Sequence, residues 1–373
     1  MLSNLRGRGR LAAAVTLAAA ASLALSACGG SSASPGAESS GGGAGSGEDV
    51  AVTLITKDNN NPFFIAMQKG AKEAGTQNGV SITLAAGAKD GDEDGQVKAI
   101  EAAVARGDKG ILITPNGPGV NAAIENARNQ GLFVIALDTP PDPADTVDIT
   151  FATDNFKAGE LIGQWAAGQL NGQTAKIALL DLHNDKVVSV DYNRDQGFLT
   201  GMGIDAKDKK KNGDEDKSGA YTGGKGGDYQ IMCQEPTEGA QDEGKSAMEN
   251  CLSKTKDINV VYSINEPAGV GAAEALKAAG VKATVVSVDG GCSPGLEAVK
   301  DGTLGATSQQ YPVKMAQLGV EAIKKIAQSN GAEKPAVTPG LDFYDTGVAL
   351  VTDKPVDGLE SIDTTAASKI CWG

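Results

Sequence analysis

Apolar residues along this chain fall into two alternating rhythms. Short runs rich in β-branched residues stand at 50–56, 81–86, 110–114 and 133–137. Between them, 62–79, 96–106 and 120–129 carry apolar positions at the three- and four-residue spacing of a helix, the second closed by Gly107. The alternation returns after Phe151, with helices predicted at 158–170, 193–202, 245–254 and 269–279 and strands at 176–180, 229–233, 260–264 and 284–288. Strands and helices that alternate in units this short imply parallel sheets covered on both faces and right-handed crossovers. The pattern predicts an α/β chain with two doubly wound parallel-sheet lobes. Such sheets bind ligands beyond the carboxyl ends of their strands, so two facing lobes make a cleft rimmed by strand-end loops.

Ahead of this pattern lies an export signal. Arg6, Arg8 and Arg10 precede an uncharged alanine- and leucine-rich run at 11–25, too short to span a bilayer. The run ends in Leu25-Ser26-Ala27-Cys28, the cleavage pattern of a bacterial lipoprotein. Residues 1–27 are expected to be removed and Cys28 to carry the lipid; the competing reading is an ordinary secretory peptide. Residues 28–47, almost all Gly, Ser and Ala, read as a flexible tether, which starts the folded part near Glu48. What remains is long enough for two lobes with their own cores. The expected location is extracytoplasmic, anchored to the outer face of the cell membrane through the lipid alone.

Charge narrows the partners. The formal net charge is −14, and the leader holds three arginines and no acid, so the mature chain is more acidic still. Such a surface repels nucleic acid and suits a small neutral ligand. The mixed-charge segment 207–217 reads as a solvated insertion, and Gly223-Gly224-Lys225-Gly226-Gly227 lacks the spacing of a phosphate loop.

Cysteine usage fits an oxidising compartment. Cys233, Cys251, Cys292 and Cys371 allow three pairings. Cys233 with Cys251, which flank one predicted helix, and Cys292 with Cys371, which would tie down the C-terminal tail, is the favoured set. With no CxxC pair and His183 as the only histidine, no zinc site is expected, and no metal or cofactor is predicted. Asp90, Asp92, Asp94 and Glu101 have the spacing of an EF-hand loop, but the helix at 96–106 begins where that loop should still be wrapping its ion. Acids at a helix N-terminus are the alternative. His183 has Asp185 and Ser189 nearby but no Gly-x-Ser-x-Gly elbow, and Gly269-Val270-Gly271 lacks a third glycine, so neither catalysis nor a dinucleotide is implied.

Candidate chemistry sits at the strand ends. Asn61-Pro62-Phe63-Phe64 joins a polar turn, a proline suited to opening a helix, and two aromatics. A sugar has an apolar C–H face and a rim of hydroxyls, which rings and polar side chains cover respectively. Asp138, Asn265 and Asp289 each follow a predicted strand directly. Carboxylates, amides and a guanidinium together match the donors and acceptors of a hydroxyl rim.

The order of Asn61-Pro62-Phe63-Phe64, Leu137-Asp138, Arg194-Asp195-Gln196-Gly197-Phe198, Asn265-Glu266, Val288-Asp289-Gly290 and Gln309-Gln310-Tyr311-Pro312 resembles the ribose/fructose branch of periplasmic sugar-binding proteins. The resemblance covers everything after the tether. It implies that Asn61, Asp138, Arg194, Asn265, Asp289 and Gln310 bond sugar hydroxyls and that Phe63 and Phe64 sandwich the ring. Thr139, Thr114 and Gly239 depart from the ribose pattern. Leu137-Asp138-Thr139-Pro140, Asn250-Cys251-Leu252 and Lys369-Ile370-Cys371-Trp372-Gly373 are most similar to fructose-binding members. A type I periplasmic binding protein is thus implied, a monomer that delivers its sugar to an ABC permease with its ATPase. Its lobes would comprise 48–153 with 311–340 and 154–310 with 341–373, joined by a hinge of three chain crossings. Ribose is the alternative ligand, and a sensor that feeds a receptor is the alternative role. A repressor of the same fold would need an N-terminal helix-turn-helix, and an exported enzyme would turn its sugar over.

Overall fold

Within each strand, successive side chains point to opposite faces, and in the inner strands of this chain most residues on both faces are apolar. The structure, a computed structural model, describes residues 50–373. The expected leader, Cys28 with its expected lipid and the whole of the expected tether lie outside the described residues.

The first series runs β1 (Val50–Thr56), α1 (Pro62–Asn78), β2 (Val80–Ala86), α2 (Glu93–Arg106), β3 (Gly110–Ile113), α3 (Asn121–Asn129), β4 (Phe133–Leu137) and β5 (Ile149–Ala152). The second runs α4 (Asn155–Leu170), β6 (Ala175–Asp181), α5 (Ser189–Met202), β7 (Ser218–Tyr221), β8 (Gly227–Pro236), α6 (Gln241–Lys254), β9 (Val260–Ser263), α7 (Glu266–Ala279), β10 (Thr284–Asp289), α8 (Glu297–Asp301) and β11 (Ala306–Gln309). α9 (Pro312–Gln328), β12 (Tyr344–Asp345), β13 (Ala349–Val351) and α10 (Thr364–Ala367) close the chain.

Two sheets result, ordered β12-β5-β4-β3-β1-β2 and β13-β11-β10-β9-β6-β8-β7. Five strands of each repeat one doubly wound order, β2-β1-β3-β4-β5 and β8-β6-β9-β10-β11, all parallel. Alternation divides the cores: Leu54 and Leu112 face one cluster while Ile55, Ile111 and Ile113 face another. In the second sheet Ile177 and Leu179 oppose Ala178 and Leu180.

Several expectations shift. α5 starts at Ser189 rather than 193, and α2 at Glu93 rather than 96. The insertion is not wholly solvated: Glu215 is buried, accepting from Gly213 N and Lys217 Nζ. It leads into β7, which pairs antiparallel with β8 through the glycine-rich turn. The last crossing falls after Thr346 rather than near Gly340, because β12 adds to β5 in the first sheet and Thr346 bonds Ala152 O. The tail is also not confined to the second lobe, since Trp372 packs in a first-sheet core cluster. The cysteines pair as Cys233–Cys251 and Cys292–Cys371.

One contact fixes the helix that carries Arg194. Gly159 and Gly163 on α4 meet Gly197 and Gly201 on α5 so closely that a Cβ at any of them would strike backbone of the other helix. Gly197→Ala is therefore expected to lower stability by about 1–3 kcal/mol through overpacking. A denaturant midpoint unchanged by the substitution would contradict this.

Candidate functional site

The site assembles where strands of both sheets end. After β1, the Asp58 carboxylate accepts from the backbone of Asn60 and Asn61 at 2.6 and 2.7 Å, which fixes the turn. Asn61 then caps α1, its Oδ1 accepting from Phe63 N at 2.9 Å with Pro62 in the first turn. Phe63 and Phe64 are buried, their rings 5.4 Å apart and 85° to one another. At that angle only one of them can lie flat against a given ligand face. The sandwich implied by resemblance is therefore replaced by a corner of two rings.

Asp138 follows β4 with φ 65°, and Asp289 ends β10 with φ 149°, both regions L-residues rarely adopt. Strained backbone at two facing acids is the kind of cost that persists where the surroundings enforce it. Between them lies Arg194 of α5, 4% exposed. Its Nε donates to Asn155 Oδ1 at 2.8 Å and a terminal nitrogen to Ile264 O at 2.9 Å. The guanidinium lies 3.9 Å from Asp138 Oδ1 and 3.6 Å from Asp289 Oδ1. Gln310, beyond β11, donates to the same Asp289 oxygen at 2.9 Å. Asn265 caps α7 and donates to Gly239 O at 2.8 Å.

Asp138, Arg194, Asp289 and Gln310 thus form one buried cluster drawn from both sheets. Asn265 stands next to Glu266 and to Ile264, whose carbonyl Arg194 holds. Asn61 lines a cavity of about 450 Å³ together with Asn60, Asp90, Glu238 and Gly239. Phe63 connects to the cluster through Trp372, whose ring is 5.3 Å away. Two buried acceptors in this cluster, Asp138 Oδ1 and Gln310 Oε1, have no hydrogen-bond partner among the described residues, Arg194 standing beyond hydrogen-bond reach of the first.

Other contacts cross between the lobes. Lys186 Nζ donates to Gly91 O and Ser189 Oγ to Pro140 O, each at 2.6 Å. His183 Nε2 pairs with Asp90 Oδ1 at 3.2 Å, and Lys57 stands 3.6 Å from the same carboxylate. Asp92 is occupied in capping α2 and bonding Ala88 N. The EF-hand spacing is therefore spent on a cap and an ion pair.

Sequence reasoning missed three residues. Asn155 orients Arg194, but in the first turn after Asp154 it is indistinguishable from capping chemistry. Glu266 accepts from Gly290 N, Gly291 N and Thr307 Oγ1, bracing the strand end that bears Asp289. Trp372 stood in the sequence only within Lys369-Ile370-Cys371-Trp372-Gly373, with no role attached to it.

Charge in this cluster is out of balance. Burial pushes Asp289 up to about 7 against the pull of Arg194 and Gln310. Burial and then the charge of Asp289 push Glu266 up to about 8. Asp181, Asp191 and Asp195 in the second lobe are raised by burial as well. A carboxyl with a raised value stabilises the fold below its ordinary pKa, near 4, and that contribution is lost as pH climbs through the raised one. Melting without ligand is expected at lower temperature at about pH 8.5 than at about pH 6, with Glu266→Gln flattening part of the fall. A slope untouched by Glu266→Gln would count against this assignment.

The profile described as periplasmic binding protein domain matches residues 51–333. The chain belongs to the periplasmic binding protein family. Among curated relatives of this binding protein, the ribose import binding protein RbsB of Bacillus subtilis (strain 168) is 26% identical over 293 residues, 78% of this chain and 86% of the relative. The D-apiose import binding protein of Actinobacillus succinogenes is 26% identical over 285 residues, 76% and 84%. Among solved structures, an ABC transporter solute binding protein from Agrobacterium vitis with bound D-fucose superposes with a TM-score of 0.69 at 26% identity, covering 86% of this chain and 99% of that one. The binding protein therefore has the type I periplasmic binding protein fold, and its strand-end cluster lies where that two-lobed architecture gathers both sheets.

Proposed function

We propose that this binding protein is the extracytoplasmic component of an ABC sugar importer, anchored through Cys28, which takes a monosaccharide between its lobes and presents it to the permease. The observation that carries the reading is the pair of unpartnered acceptors, Asp138 Oδ1 and Gln310 Oε1, in a shell contributed by both sheets. A buried acceptor without a donor costs about 1–3 kcal/mol, and a sugar hydroxyl donates to both kinds. Asn61, Asn265 and Arg194 supply further polar contacts, and the Phe63–Phe64 corner the apolar wall. The lobes so read are 48–153 with 311–346 and 154–310 with 347–373, with closure about the three crossings favoured by ligand contacts to both. The protein acts as a monomer and leaves the sugar unchanged.

Fructose is the proposed sugar. Gly239 supports a site different from the ribose pattern: with φ 66° and an added Cβ 3.0 Å from Asn265 Nδ2, an aromatic side chain is disfavoured there. Thr139 Oγ1 donates to Asp138 Oδ2 at 2.8 Å in place of a cationic partner. Ribose is the second reading, favoured by the names of the RbsB relatives.

A thermal-shift screen tests this. A native-state ligand at one hundred times its Kd adds about 2.7 kcal/mol, a shift well above noise. D-fructose is expected to give the largest rise among fructose, ribose, galactose, xylose and glucose. A larger rise with ribose would reassign the sugar, and no rise with any would overturn the reading. Deleting the gene and measuring sugar uptake separates import from sensing.

A further inference from the structure

We propose that Trp372 is a positioning residue of the ligand site, and that the Cys292–Cys371 disulfide serves to hold it there. The inference rests on reading the strand-end cluster as the sugar site and adds a residue that this reading does not include. The indole Nε1–H donates to two carbonyls, Gln310 O at 3.0 Å and Asp289 O at 3.3 Å. These belong to the two residues whose side chains bond each other beneath Arg194. One donor thus fixes the backbone of both, including the strained Asp289 at φ 149°.

The ring reaches the other lobe as well. Trp372 meets Phe63 edge to face, 5.3 Å between centroids at 83°, and belongs to the same first-sheet core cluster. Phe63 in turn is 85° to Phe64, so the orientation of the aromatic corner depends on Trp372. Edge-to-face pairs of this kind contribute beyond their buried area. A single side chain therefore sets the apolar wall from one lobe and the polar pair from the other.

Its own placement is covalent. The residues between α10 and the cystine, Ser368, Lys369 and Ile370, are exposed. Cys371 bonds to Cys292, three residues after Asp289, and Cys292 N donates to Trp372 O at 2.8 Å. Gly291 pairs with Trp372 as an isolated bridge. The disulfide joins the last three residues to the strand end that carries the site rather than to the outer surface.

The sequence holds two tryptophans, which makes the proposal visible spectroscopically. Trp165 lies at the opposite end of β11, against Gly305, with its Nε1 on Lys354 O. In Trp165→Phe, emission reports on Trp372 alone. Calorimetric titration of D-fructose is compared among Trp165→Phe, Trp372→Phe, Trp372→Ala and Cys292→Ser/Cys371→Ser, with ribose as the selectivity arm.

Expected are a fluorescence change on sugar addition in Trp165→Phe and none in Trp372→Phe. Trp372→Ala should weaken fructose at least tenfold and alter the fructose-to-ribose ratio, Trp372→Phe should recover part of the loss, and the double serine variant should fall towards Trp372→Ala. A purely structural tryptophan would lower the melting temperature but leave the selectivity ratio and the emission response unmoved. Trp372→Ala that binds fructose within twofold of the parent, with unchanged selectivity, overturns the proposal while leaving the sugar-site reading intact. A parent that binds no monosaccharide overturns both.

Discussion

Replacing Arg194 by alanine should weaken sugar binding by about two to three and a half orders of magnitude, the equivalent of the 3–5 kcal/mol lost when one partner of a buried ion pair is removed. The Arg194 guanidinium stands within 4 Å of both facing acids, one from each lobe. Without it neither acid faces a cation, and the two lobes lose the ion pairs that bridge them at the site. Arg194→Lys should recover little, since an ammonium cannot hold Asn155, the Ile264 carbonyl and two carboxylates at once. Titration calorimetry measures the loss, and far-ultraviolet circular dichroism checks that the variant folds. Affinity within tenfold of the parent would remove Arg194 from the site.

Loss of the disulfides should rank by loop length. Constraining the unfolded chain over 79 residues is worth about 4.5 kcal/mol for Cys292–Cys371. Over 18 residues the figure is about 3 kcal/mol for Cys233–Cys251. The first pair also retains the tail, so its paired serine variant should melt lowest and lose affinity, whereas the second should lose stability with affinity nearly intact. Differential scanning calorimetry with and without sugar separates the two. The reverse order would mean that the tail holds its place without the bond.

The alternation of apolar strands and helices disclosed both lobes because parallel strands buried on two faces must be continuous apolar runs. β11 escaped that logic. Its residues Ala306–Gln309 are fully buried, and three of the four are polar, Thr307 donating to Glu266 and Ser308 to the Ala158 carbonyl. No hydropathy pattern marks a strand whose burial is arranged through hydrogen bonds. β12 was hidden because two residues suffice to extend a sheet edge, and this moved the third crossing.

Polar strand-end residues were legible singly, since Asp and Asn after an apolar run are either caps or ligands. Asn61 and Asn265 are caps in fact; Asn61 also lines the cavity beside Asn60 and Gly239, and Asn265 bonds the Gly239 carbonyl at that same wall. What sequence could not convey was convergence. Arg194 is placed by the glycine-lined contact of α4 and α5, and Trp372 by a disulfide spanning 79 residues. Both are long-range consequences of packing.

A crystal structure of the protein grown with D-fructose would test the central claim most directly. The account predicts one sugar bounded by the Phe63–Phe64 corner, with hydroxyls within hydrogen-bond distance of Asp138 Oδ1, Gln310 Oε1 and Arg194. A sugar seated away from these groups, or none at saturating concentration, would contradict it.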